Sequence, residues 1–163
     1  MKKSIILSVI VLLVLITITG CTTKKENTSK TEENTNSVVL YFSATGTTKG
    51  IAERIAKNSN SDIIEIVPKD EYTSSDLDYN SDCRANREQN NSNARPEIEN
   101  TIDITKYDTI YLGYPIWRGT NPKIILTLLD TYDLTDKTII PFCTSGSSDI
   151  SESVNNIRNY KVG

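Results

Sequence analysis

The sequence predicts an α/β fold, an open parallel sheet covered by helices on both faces. Three observations carry this expectation. Short apolar runs rich in β-branched and aromatic residues recur along the chain. Stretches with apolar residues at helical spacing lie between them. Each strand candidate gives way to Ser, Gly or Pro, the residues that punctuate turns. Strands alternating with helices in this way read as parallel strands joined by helical crossovers.

The first strand is the run 38–42 (VVLYF). A helix follows over 47–57, with Ile51, Ala52, Ile55 and Ala56 on one face. A second strand, 62–67, stops at Pro68. A third, 108–114, stops at Pro115. Asn121 and Pro122 open the next helix, with Pro at the first-turn position it tolerates and Ile124, Ile125, Leu128 and Leu129 on the buried face. A fourth strand spans 137–143. From Ser147 onward Ile150, Val154 and Ile157 mark a last helix. The stretch 68–107 breaks the rhythm. It is long and polar, and an uninterrupted loop of that length is unusual in a compact domain. A helix over 75–89, capped by Ser74 or Ser75, is expected inside it.

The segment before the fold reads as an address. Lys2 and Lys3 precede an apolar run, 4–19, shorter than the about 20 residues a spanning helix needs, and small residues close it. Ile18, Thr19, Gly20 and Cys21 resemble a bacterial lipobox. On that reading residues 1–20 are a lipoprotein signal peptide, Cys21 is lipidated, and the protein is anchored outside the cytoplasm. An uncleaved signal anchor is the alternative. Residues 21–36 are Lys, Glu, Thr, Asn and Ser with no apolar period, the composition of a disordered tether. The domain then occupies 37–163.

Composition narrows the chemistry. The 163 residues carry 18 basic and 21 acidic side chains and no histidine. The acid excess disfavours a broad nucleic-acid surface, and the lack of His removes the commonest general base and any His-bearing metal site. Three cysteines are too few for a disulfide framework. Cys143 reads as a structural thiol. Cys83, in the polar excursion, is open to reaction or to a disulfide with Cys143.

Three strand ends carry suggestive segments, where open parallel sheets bind ligands. Ser43, Ala44, Thr45, Gly46, Thr47 and Thr48 join the first strand to the first helix. Hydroxyls and Gly at a helix N-terminus make an anion site. Without Lys or a three-glycine fingerprint, the loop suits a terminal phosphate monoester, or simply a well-capped helix. Tyr114, Pro115, Ile116, Trp117, Arg118 and Gly119 hold the only Trp of the chain. A large aromatic in a loop is poorly placed for the core, so it reads as a surface for stacking a flat ring, or as a lid over the sheet edge. Thr144, Ser145 and Gly146 form a second hydroxyl-rich turn, suited to a polar ring edge or to capping.

In order along the chain, these segments resemble the flavodoxin family. The pattern (S/T)-x-T-G-x-T is met by Ser43, Thr45, Gly46 and Thr48. The G-Y-P-I-W and F-C-T-S-G segments, with Asn86-Arg87-Glu88 and Ala94-Arg95-Pro96, resemble one branch of flavodoxin-like domains. The resemblance implies a doubly wound sandwich and FMN, with its phosphate on the first segment, its ring against the second and its polar edge against the third. It implies electron transfer to a redox partner protein, or reduction of a small-molecule acceptor, with no catalytic acid or base from the protein. A non-redox surface lipoprotein that keeps the fold as a binding module, or a truncated, inactive copy, is the competing reading. An unfolded export route implies that FMN is acquired outside the cytoplasm. The flavodoxin-like sheet has five strands in the order 2-1-3-4-5, against four strand candidates here. The expectation is therefore a domain apparently lacking the final strand and helix, either because the chain is truncated or because a partner covers the bare edge of the fourth strand.

Overall fold

The computed structural model describes residues 36–160. The export segment, Cys21 and the tether up to residue 35 lie outside the described residues. Four strands, β1 (Ser37–Tyr41), β2 (Asp62–Glu65), β3 (Thr109–Pro115) and β4 (Thr138–Thr144), form one parallel sheet in the order β2-β1-β3-β4. Four helices connect or follow them: α1 (Thr47–Ser59), α2 (Arg84–Asn90), α3 (Lys123–Thr131) and α4 (Ser151–Asn159).

The alternation of strand side chains explains the layers. Val38 and Leu40 point to one face, joined by Ile110, Leu112 and Tyr114 and covered by Ile124, Ile125 and Leu128 of α3. Val39 and Tyr41 point to the other, against Ala52 and Ala56 of α1. β1 is buried along its whole length because both faces are covered. Gly113 of β3 has no side chain for a specific reason: the Phe142 ring lies across it, and a Cβ there would stand 2.2 Å from Cζ of Phe142. On this side of the sheet Tyr111 and Ile140 are paired in register, and Ile140 is 40% exposed.

The structure moves several expected boundaries. β3 continues through Pro115, because the N-side of that residue faces β1, which has already ended at Tyr41. β4 runs one residue further than expected and starts one later. Pro122 is the N-cap of α3, not its first helical residue; its carbonyl receives the Ile125 N–H at 2.9 Å. In α4 the fully buried residue is Ser153, while Val154 and Ile157 are half-buried. Ser153 Oγ lies 3.1 Å from the Tyr114 hydroxyl, which needs a polar partner in the core.

The single helix expected over 75–89 is two pieces. A 3-10 turn, Ser75–Leu77, is followed by a break and then α2. Asp78 causes the break, taking the Asn80 N–H on its carboxylate at 3.2 Å and the Ser81 hydroxyl on its carbonyl at 2.9 Å. The excursion then returns beside the end of β2. Asn100 accepts the Val67 N–H at 2.9 Å and donates to the Glu65 carbonyl at 2.8 Å, and Pro68 bridges Ile98.

Within β4, the Thr138 N–H and the Thr144 carbonyl both bond toward β3. By alternation Pro141 faces outward, so its missing N–H lies on the outer edge of the sheet.

Candidate functional site

Winding out from β1 to β2 on one side and β3 on the other separates the loops at the carboxyl ends of the strands. A cleft of about 430 Å³ opens there, within the range of roughly 300–1,000 Å³ typical of cofactor pockets. All three sequence segments meet in it. Ala44, Thr45, Thr47 and Thr48 form one wall, Pro115, Ile116 and Trp117 a second, and Thr144, Ser145 and Gly146 a third. The Thr48 and Thr144 hydroxyls lie 2.8 Å apart and join the first wall to the third. The Ile116 N–H, 2.8 Å from the Thr144 carbonyl, joins the second to the third.

The first wall has the character of an anion cradle. Gly46 is the N-cap of α1, with φ 82° and no side chain to cap the helix. Its Cα faces open space, so a ligand can approach the backbone closely. Ser43 Oγ accepts the Lys49 N–H at 3.2 Å and holds the loop against the helix. The first-turn amides of Thr47 and Thr48 are left without a side-chain cap, which is the arrangement that binds phosphate at helix N-termini.

Five predicted residues stand apart from the cleft surface. Tyr114 is fully buried and bonded to Ser153. Ser43 braces the first wall through the Lys49 N–H, and Gly46 caps its helix without lining the cleft. Arg118 and Gly119 form the turn beyond Trp117, with φ 50° and 83°, closed by reciprocal bonds between Trp117 and Thr120.

Trp117 itself is not the exposed ring expected of a loop aromatic. It is 4% exposed and packs edge-on against Phe42, Tyr72 and Tyr79, with centroids 5.5, 5.0 and 6.5 Å away. Two cleft residues were not anticipated, Leu77 and Tyr79. Tyr79 is 41% exposed and is the aromatic ring with free surface at this wall. Both lie in the polar excursion, where no periodicity marks them. Burial pushes the Tyr79 hydroxyl up to about 12, so it stays protonated at neutral pH.

The expectation for Cys83 is corrected too. Cys83 and Cys143 are both free thiols, and Cys83 is buried in the main core at 4% exposure rather than displayed for reaction. Burial, and then the negative charge of Asp149, push the Cys143 thiol up, away from a reactive thiolate.

A family model described as Flavodoxin matches residues 36–162. The chain belongs to the flavodoxin family. It is similar to solved structures of proteins described as flavoproteins. One from Bacteroides eggerthii is 39% identical, with TM-score 0.76, over 78% of this chain and 82% of that one. One from Bacteroides uniformis is 39% identical, with TM-score 0.74, over 77% and 81%. A flavoprotein from Lactobacillus acidophilus, solved in complex with FMN, is 28% identical, with TM-score 0.67, over 79% and 87%. No curated protein matches the chain. The flavodoxin-family sheet order expected for these four strands is the order observed.

Proposed function

We propose that the protein binds FMN in this cleft and acts as a redox protein at the outer face of the cell membrane, held there by lipid on Cys21. The convergence of the three loop segments on one cleft, tied by the Thr48–Thr144 contact, is the observation that carries the reading. The FMN complex of the Lactobacillus acidophilus relative supports it.

The residues present fit the cofactor. The amides of Thr47 and Thr48 and the hydroxyls of Thr45, Thr47 and Thr48 hold the phosphate, with charge-assisted bonds and the helix dipole adding to one another. Ile116, Trp117 and Tyr79 give an apolar slot for the flat ring and exclude water from it. The turn at Ser145 and Gly146 offers backbone polar groups to the ring edge. FMN supplies the one- or two-electron chemistry when bound. The protein then sets orientation and access, and passes electrons to a partner protein or a small acceptor such as a quinone.

Titrating the purified full chain with FMN tests the cofactor. Saturable quenching of flavin fluorescence is expected, and its absence overturns the reading in favour of a binding module. Incorporation of labelled palmitate, lost in Cys21→Ser, tests the anchor; an unlabelled wild type removes it.

A further inference from the structure

The slot for the ring has walls from distant parts of the chain, and one buried amide joins them. Asn86 of α2 is 4% exposed. Its Nδ2 donates to the Ser81 carbonyl at 2.7 Å and to the Tyr79 carbonyl at 3.2 Å. Its Oδ1 accepts from Arg118 Nε at 2.8 Å. The orientation of the amide is fixed by chemistry, since a guanidinium only donates and a peptide carbonyl only accepts. Arg118 is the residue after Trp117, and it sits at φ 50°, a conformation that a long side chain adopts only when its surroundings hold it. Asn86 thus ties the backbone of Tyr79 to the turn that carries Trp117, and Arg118 Nη2 adds a longer direct contact of 3.5 Å to the same Tyr79 carbonyl.

We infer that Asn86 is a positioning residue that sets the separation of the Tyr79 and Trp117 walls, and so the grip on a flat ring, without touching the ligand. The ligand rests on the flavin reading above; the clamp concerns this chain alone. Gln89, one turn further along α2, supports the same loop by donating to the Trp117 and Asn121 carbonyls at 3.1 and 3.2 Å. Gln89 does not reach Tyr79's loop by any hydrogen bond among the described residues, so it fixes one wall, whereas Asn86 fixes the distance between two.

The test uses the full chain with Asn86→Ala, Arg118→Ala and the double variant. Trp117 is the only Trp in the protein, so its emission reports on the slot even without flavin. Each single variant should shift that emission to longer wavelength. Each should weaken FMN and riboflavin by the same factor, about tenfold, as expected for loss of a buried charge-assisted bond. The double variant should be no weaker than Arg118→Ala, because that variant already removes both the bond to Asn86 and the direct contact with the Tyr79 carbonyl. Asn86→Asp keeps an acceptor for Arg118 but faces two carbonyl oxygens, so it should behave as a single variant does. If Asn86→Ala does not fold, the exposed Arg118→Ala carries the test. Unchanged emission in Arg118→Ala, additive losses, or a loss of FMN affinity with riboflavin binding kept would overturn the clamp. A wild type that binds no flavin would remove the cofactor reading, while the emission shifts still decide the clamp.

Discussion

The phosphate-loop wall and the aromatic wall of the cleft are built in opposite ways. The first is local: Ser43, Gly46, Thr47 and Thr48 lie on one turn and meet within a few residues of each other. The second is assembled from afar, with Trp117 packed under Phe42, Tyr72 and Tyr79 and its loop fastened by Asn86 and Gln89. A local wall can change its chemistry without disturbing the fold. An assembled wall cannot, because the side chains facing the ligand also face the core.

Substituting Trp117 tests this contrast with the largest expected effect. Trp117→Ala should lower stability by about 3–5 kcal/mol, the range for truncating a large buried aromatic. A melting temperature close to wild type would show that the ring is a ligand surface alone. Gly113→Ala should come next, at about 1–3 kcal/mol, because the new Cβ meets the Phe142 ring. Combined with Phe142→Ala its cost should be less than additive, and strict additivity in denaturant melts would argue against the close approach.

Thr47→Val, at an exposed position lining the cleft, probes the local wall. It should cost about 1 kcal/mol in FMN affinity, roughly fivefold, through the lost hydroxyl, and leave riboflavin binding unaltered. Equal losses for both ligands would mean that this wall, too, shapes the ring slot. The smallest effect is that of acid. Hydrogen bonds from Tyr107 to Asp62, from Thr73 to Asp76 and from Ser151 to Asp149 hold these carboxyls below their ordinary range. A depressed folded-state value contributes stability above the unfolded value, about 3.9, and loses it as pH falls through the folded one. All three are surface groups, so the melting temperature should be level above about pH 5 and decline gently below about pH 4. A rise on acidification would contradict these pairings.

The same contrast explains what could be read in the sequence. The strands and the phosphate loop follow from patterns within a few residues, with strand ends shifted only by one or two, while the sheet order came only through the family resemblance. The burial of Trp117 could not be read locally, because its cover comes from Tyr72 and Tyr79, some forty residues earlier. Tyr79 was hidden for the same reason: turns built on Asp76 and Asp78 place it, not an apolar period. In α4 the stripe of Ile150, Val154 and Ile157 was the obvious choice for burial. Ser153 took that place because Tyr114 beneath it needed a hydroxyl more than a methyl group.

The outward-facing Pro141 has a consequence for how closely copies of this protein can crowd without joining sheets. An extended segment from a neighbour that began to zip onto β4 would find, halfway along, a residue with no hydrogen to offer. Fibril growth by edge addition would stall at that rung, since each new layer needs every rung of the one before. The stop matters most wherever copies of the chain meet at high local concentration.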